Sequence, residues 1–417
     1  MAKGDICKLR LENIASGGDA LGRFEGKPVF VESGAPREDV LCRVTEEHNT
    51  WSRAELLEII KPSPSRVNAA CPFYGRCGGC NLQHIEYEAQ LKIKADILKD
   101  SLLRIGGIPV SEPVIFPSLQ WEYRNRTQFH CFREKSSGKK QNSYTIQQRE
   151  EKAAFGLKGR SGDEIVPVTD CPIAVPSIRE LLRAGKGITL PPEKDRFTVF
   201  SKDDIFLHEG GQQRGRIKLL DKEITLDAGV FFQSNCYMLE KLISELRKIA
   251  ETTELPAKFP AVRSLPMADL YCGTGTFALF LCDLFPSVIL AEENKTAVSL
   301  ARENLRGVNA EFFALRDTEW PKTVIKEQRK DSRERSFGFV VVDPPRAGLA
   351  PKLTAALANN GPPVLVYVSC DAASLARDAK ILTKGGYKIE KLMLFDFYPQ
   401  TAHIESLVVF VNTDLAY

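Results

Sequence analysis

The sequence predicts an α/β protein: a C-terminal doubly wound, Rossmann-like domain, preceded by a small N-terminal β-barrel and a β-rich middle region with clustered cysteines. Three observations predict it. Short apolar runs alternating with helical segments fill the last third, and polar–apolar alternation broken by glycine turns fills residues from Asp5 to Ile60. Between them, Cys71, Cys77 and Cys80 crowd one short glycine-bearing stretch. A chain of 417 residues exceeds one ordinary domain and accommodates two or three.

In chain order, residues 1–64 are expected to form the barrel. Pro28-Val29-Phe30-Val31 and Asp39-Val40-Leu41-Cys42-Arg43-Val44 read as short strands between turns at Ser16-Gly17-Gly18 and Gly22. Lys61-Pro62-Ser63-Pro64-Ser65 reads as a linker, because alternating proline and serine favour neither helix nor central strand. Residues 65–228 form the expected middle domain. It opens on the cysteine cluster and continues through a helix of roughly Ile85 to Ile105, closed by Gly106-Gly107. A mixed, turn-rich, β-rich region follows from Trp121 to Leu226. Residues 229–417 form the third domain. Met267–Tyr271, Val288–Ala291, Ala310–Leu315, Phe337–Val342 and Pro363–Val368 are apolar runs of the kind that parallel strands buried on both faces require.

Hydrophobic residues at 43% and charged residues at 27% supply several cores and exclude a disordered or fibrous chain. No stretch approaches the ~20 uncharged apolar residues of a membrane span, and MAKGDICKLRLENI lacks the apolar run of a signal peptide. A cytoplasmic protein without membrane partners is the expectation. In that compartment eleven cysteines read as metal ligands or catalysts rather than a disulfide framework. The net charge of +3 says little, but its distribution says more. Ten Lys or Arg face four Glu between Trp121 and Arg160, with Phe129, Phe132, Tyr144 and Phe155 interleaved. Such a stretch suits gripping an RNA backbone and splayed bases.

Five motifs carry chemistry. Asp269-Leu270-Tyr271-Cys272-Gly273-Thr274-Gly275-Thr276-Phe277 runs a strand into two glycines and a helix, which lets the backbone approach a cofactor. Glu293 is expected to end the next strand, where a carboxylate can hold two ribose hydroxyls. An NAD-binding unit would look similar, but Ala278 stands where its third glycine belongs. Phe339-Val340-Val341-Val342-Asp343-Pro344-Pro345-Arg346-Ala347-Gly348 delivers a carboxylate into the cleft. Methyltransferases of exocyclic amines carry a related turn with an aromatic after the prolines, so Arg346 points to different chemistry. Cys370, directly after the apolar run Val364–Ser369, is a candidate nucleophile, and Asp371 is expected to turn away from it and cap the following helix. His403 and Glu405, beside the apolar strand Leu407–Val411, are candidate acid–base groups. Finally, Cys71, Cys77 and Cys80, with Cys171 far downstream, suit a metal centre. The spacing leaves iron–sulfur and zinc both open, since only one Cys-x-x-Cys knuckle is present.

Together these motifs strongly resemble the uridine-5 RNA methyltransferases of the bacterial 23S rRNA and tRNA T-loop type. The resemblance spans nearly the whole chain, from a TRAM-like barrel and Cys-x5-Cys-x2-Cys through Phe231-Phe232-Gln233-Ser234-Asn235 to His403-Ile404-Glu405. It implies Cys370 as nucleophile and Glu405 as general base. It also implies Gln233, Tyr271, Thr276, Glu293 and Asp343 around S-adenosyl-L-methionine and the uracil. Thr276 stands where many members carry asparagine. The resemblance further implies Cys71, Cys77, Cys80 and Cys171 as ligands of a [4Fe-4S] cluster, and a monomer acting on structured RNA, rRNA ahead of tRNA. The implied reaction adds the Cys370 thiolate to carbon 6, methylates carbon 5 and removes its proton through Glu405, on a base first taken out of its stack. Two other readings compete. A radical methylthiotransferase would show a Cys-x3-Cys-x2-Cys motif, and a redox-sensing RNA-binding protein would leave the pairing of Cys370 with Glu405 unexplained. Transfer of labelled methyl to RNA separates all three.

Overall fold

The structure is a computed structural model that describes residues 2–131, 155–160, 162, 164–184, 195–252, 262–324 and 337–412. Strands β1 (Ile6–Ile14), β2 (Ala20–Phe24), β3 (Lys27–Val31), β4 (Asp39–Glu47) and β5 (Ser52–Lys61) close a barrel in the order β1-β2-β3-β5-β4. The alternation that predicts strands also fills the barrel. In β1, Cys7, Leu9 and Leu11 point inward while Lys8 and Arg10 point to solvent. The proline–serine stretch is not a free linker. Ser63 and Ser65 are buried, and the Ser63 amide donates to the buried Glu38 carboxylate at 3.3 Å. Glu38 also takes the Ala35 amide at 2.9 Å and the Arg66 guanidinium. A carboxylate buried in a barrel wall needs these donors, and the chain after β5 folds back to supply them.

Helix α1 (Tyr87–Ser101) matches its expected place and ends through a wider turn, Leu102–Gly106, closed by Gly107 at φ 70°. Its apolar face does not serve the middle region. Ala95, Leu98 and Leu102 join the core formed by Leu353, Tyr367 and Leu375 of the C-terminal domain. Strand β6 (Val114–Phe116) likewise adds an edge to the C-terminal sheet. Strands β7 (Arg126–Cys131), β8 (Phe155–Lys158), β9 (Ile165–Val166), β10 (Arg196–Lys202) and β11 (Ile205–His208) make a sheet ordered β11-β10-β7-β8-β9, flanked by α2 (Pro176–Ala184). Strands β12 (Arg214–Leu219) and β13 (Lys222–Asp227) form a hairpin. Phe129 and Phe155 are core residues here, packed ring against ring at 5.2 Å and each against Phe197. They are not available to stack on RNA bases. Side chains alternate across a strand, so Phe129 and Phe155 face inward, on the strand faces opposite Arg126 and Lys158. Phe132 and Tyr144 lie outside the described residues.

The C-terminal domain contains α3 (Cys236–Glu251), β14 (Met267–Leu270), α4 (Thr276–Leu281), β15 (Val288–Glu292), α5 (Lys295–Asn304), β16 (Ala310–Ala314), α6 (Trp320–Thr323), β17 (Phe339–Val342), α7 (Pro351–Asn360), β18 (Val364–Ser369), α8 (Ala372–Lys384), β19 (Tyr387–Phe395) and β20 (Glu405–Asn412). Its sheet runs β16-β15-β14-β17-β18-β20-β19-β6. β14 to β18 are parallel, and β20 is antiparallel to both neighbours. The sheet divides two cores. Val364, Val366 and Val368 face one, and Leu365 and Tyr367 face the other. The chain reverses its winding between β14 and β17, which opens a crevice at the carboxyl ends of those strands. Among the described residues no helix is long and apolar enough to cross a membrane.

Candidate active site

The crevice begins where β14 ends. Tyr271 adopts φ 62°, a conformation that side chains other than glycine rarely take, and Gly273 and Gly275 follow at φ 52° and 77°. A Cβ on Gly275 would stand 2.6 Å from the Leu305 side chain, and the residue carrying it would have to adopt the same positive φ, so a larger residue strains the turn. Asp269 ties the loop to α4 by accepting the Ala278 amide at 3.0 Å, and Tyr271 donates to Asp317 at 2.9 Å. Thr276 opens α4, its hydroxyl 3.3 Å from that of Thr274.

The expected strand-end carboxylate is displaced by one residue. β15 ends at Glu292, whose carboxylate accepts the Gly273 amide at 3.3 Å and the Asn294 amide at 2.8 Å. Glu293 is exposed beyond the strand. Successive residues of an extended chain face opposite ways, so a one-residue slip exchanges a cleft position for solvent. The glycine loop therefore meets Glu292.

Beyond β17, Asp343 keeps the strand edges joined through its amide, 3.3 Å from the Leu270 carbonyl. Burial pushes its carboxyl up to about 7, and a hydrogen bond from Gln233 opposes the shift. The other end of the Gln233 amide, Oε1, is buried without a partner. Cys370 follows β18, and its neighbour Asp371 turns away to cap α8, accepting the Ser374 amide at 2.8 Å, as expected. The pairing of Ser369 with Ser406 sets the end of β18 beside the start of β20. That register brings Glu405 next to Cys370. Burial, then Glu405, then Asp343 push the Cys370 thiol up to about 12, while Arg346 draws it down. Glu405 is 2% exposed, is raised well above the usual carboxylate range by burial and then by Asp343, and leaves Oε1 unpaired. Arg346 donates to His403 Nδ1 at 3.2 Å. Loss of water around the ring and then Arg346 lower the imidazole to about 4, so it is neutral near pH 7. The unpartnered oxygens of Gln233 and Glu405, the Cys370 thiol and the Asp343 carboxyl gather here, with both carboxyls raised by burial. The arrangement suits addition of sulfur to an unsaturated ring, proton removal, and recognition of ring N–H groups.

The structure thus gathers Gln233, Asp343, Cys370 and Glu405 at one edge and sets Tyr271 and Thr276 on the adjoining loop. Glu292, Asp317 and the enclosed Tyr398, which feels both Glu405 and Cys370, were not anticipated. A carboxylate just past the third strand of the winding is the signal that points to Asp317. Elsewhere, Cys71, Cys77, Cys80 and Cys171 converge. Cys71 senses Cys77, Cys80 senses Cys171 and Cys77, and Cys171 senses Cys77 and Cys71. None of the four is in a disulfide. Burial raises all four thiols, Cys80 to about 12 and Cys171 to about 11. Among the described residues, no three His, Cys, Asp or Glu stand close enough to hold a metal ion.

A sheet wound in this order, with a glycine loop after its first strand and carboxylates at the next edges, matches the framework of an S-adenosylmethionine-dependent methyltransferase. Residues 217–413 match the model of the family described as tRNA (Uracil-5-)-methyltransferase. An uncharacterized RNA methyltransferase of Treponema denticola is 33% identical, over 93% of this chain and 94% of its own. The 23S rRNA (uracil(1939)-C(5))-methyltransferase RlmD of Psychromonas ingrahamii is 26% identical, over 97% of this chain and 96% of its own. The crystal structure of the Pyrococcus abyssi tRNA (uracil-54, C5)-methyltransferase, solved with S-adenosyl-L-homocysteine, shares the fold. Its TM-score is 0.66 at 24% identity, covering 97% of this chain and 100% of that one. The chain belongs to the RNA (uracil-5-)-methyltransferase family.

Proposed function

We propose that this enzyme transfers a methyl group from S-adenosylmethionine to carbon 5 of a uridine in structured RNA, with Cys370 as nucleophile and Glu405 as base. The observation that carries the reading is the convergence of Cys370, Asp343 and Glu405 at the carboxyl edge of the sheet. Carbon 5 of uracil is too poor a nucleophile for direct transfer. As the Cys370 sulfur bonds to carbon 6, its proton passes to Asp343, whose raised pKa suits it to accept. The ring becomes an enolate, and carbon 5 attacks the sulfonium methyl, breaking its bond to sulfur so that S-adenosylhomocysteine leaves with the electron pair. Glu405 then takes the carbon 5 proton, and the ring expels the Cys370 thiolate. Gln233 Oε1 and Glu405 Oε1, buried without donors, are suited to the uracil edge. Tyr271, Thr276 and the Glu292 carboxylate line the methionine and ribose side, with Glu292 taking the role first expected of Glu293.

Residues 1–64 serve as a TRAM-like RNA-binding barrel, 65–228 as the cysteine-bearing RNA-binding region except for α1 and β6, which build into the C-terminal domain, and 229–417 as the methyltransferase domain, in a monomer. A 23S rRNA substrate is favoured over tRNA because the N-terminal barrel and the Cys71-Cys77-Cys80 motif occur together in this chain; the likenesses to RlmD and to the tRNA enzyme both run nearly the full length. Cys71, Cys77, Cys80 and Cys171, none of them in a disulfide, would be the residues to hold a [4Fe-4S] cluster, as the family motif implies. When bound, the cluster contributes folding free energy and no electron to the methyl transfer. Labelled methyl should pass from S-adenosylmethionine to RNA with the wild type. With Cys370→Ala it should not, although cofactor binding persists. Undiminished turnover in that variant would overturn the assignment. Methyluridine mapping in 23S rRNA and tRNA from cells with and without the protein identifies the target.

A further inference from the structure

The segment between β19 and β20 carries Tyr398 and His403 and delivers Glu405, yet much of what holds it in place comes from far upstream in the chain. Gln400, 3% exposed, takes φ 69°, so this segment is bent into a conformation that its own residues disfavour. Gln90 of α1 clasps it from both sides, accepting the Gln400 amide at 2.9 Å and donating to its side-chain oxygen at 3.0 Å. The Gln400 carbonyl takes the amides of Asn81 and Leu82 at 3.2 and 3.0 Å, and Asn81 Oδ1 takes the Ala402 amide at 2.8 Å. One turn along α1, the Lys94 ammonium meets the Asp396 carboxylate and the Tyr398 carbonyl, the latter at 2.9 Å. Lys94 and Asp396 are both wholly buried.

We propose that Gln90 and Lys94 are positioning residues for the reaction, holding the Asp396–Ile404 segment so that Tyr398 and Glu405 meet the uracil. The proposal rests on the reading of Glu405 as base. Stability alone does not explain such a pair. A buried ion pair between elements can be replaced by packed apolar side chains with little loss or even a gain, so its use here points to placement. Nothing in the transfer itself uses the Lys94 ammonium. It reaches the segment carbonyl and carboxylate from a helix outside the parallel β-α winding, in the same stretch of chain that leaves Cys80.

Lys94→Met, Gln90→Ala and the charge-free double variant Lys94→Met/Asp396→Asn test this with the full-length enzyme and target RNA. Gln90→Ala leaves no buried charge, so it reports even where Lys94→Met fails to fold. Folded variants should lose at least tenfold in kcat while the KM for S-adenosylmethionine stays constant. Methylated RNA–protein adduct should accumulate on denaturing gels, because proton removal is the step put out of place. Wild-type kcat in Gln90→Ala, or full recovery of kcat in the double variant, would overturn the proposal. Adduct in the Gln90 and Lys94 variants but none in Glu405→Gln would instead remove Glu405 as the base, leaving the placement of the segment to be judged on kcat.

Discussion

Replacing Asp269 with asparagine should change how the stability of the protein depends on pH. The carboxyl lies buried beneath the glycine loop, with Oδ2 taking the Ala278 amide and Oδ1 without a partner. Burial, aided by Asp343 and Glu292 and opposed by the Ala278 amide, pushes it up to about 7. In the unfolded chain the same group titrates near ~3.9. A carboxyl whose pKa is raised by folding binds its proton more tightly in the native state. Its contribution is therefore fully present below about pH 4 and is lost as pH rises through about 7. Linkage over the interval from pH 5 to pH 8 gives a loss of about 3 kcal/mol for this group alone. Asp269→Asn keeps an oxygen for the Ala278 amide and removes the titration. Urea unfolding of the cofactor-free protein at several pH values between 5 and 8 measures the difference. The variant should gain on the wild type by about 3 kcal/mol across that range. Parallel curves would refute the claim that Asp269 holds a proton in the folded site.

Glu405→Gln should form the methylated adduct and release it slowly, so that a covalent RNA–protein species accumulates; wild-type release would assign the proton to another group. Turnover should fall as pH drops below about 7, because Asp343 and Glu405 both have raised pKa values and must be ionised to accept protons. A flat pH–rate profile from 6 to 8 would remove them from the proton path. Cys77→Ser should lower iron content and RNA affinity more than the single-turnover rate of methyl transfer, and the wild type prepared without oxygen should be brown. Stoichiometric zinc in a colourless anaerobic preparation would replace the cluster and leave the methyltransferase untouched.

The parts of the fold visible in the sequence are those with a simple period. Runs such as Phe339–Val342 and Val364–Ser369 are buried along their whole length and read as parallel strands. The alternation in β1 reads as a barrel wall. Cys370 and Asp343 were legible because each follows directly on such a run. What escaped the sequence depends on orientation or distance. Glu292 and Glu293 are the same residue type in adjacent positions, and only the strand end decides which faces the glycine loop. Phe129 and Phe155 sit in a basic stretch, but their strands turn them inward onto Phe197. The contribution of α1 and β6 to the C-terminal domain is likewise hidden. Lys94 meets Asp396 across 302 residues, and no local pattern announces a partner so far away.

Tritium placed at carbon 5 of the target uridine tests the central claim most directly. Methylation at that carbon must expel the hydrogen it carries, so each methyl group entering RNA should release one tritium to water. With Cys370→Ala both signals should vanish together, because no enolate forms without addition of the thiolate to carbon 6. Methyl incorporation with tritium retained in the RNA would place the methyl group on nitrogen or ribose and contradict the account.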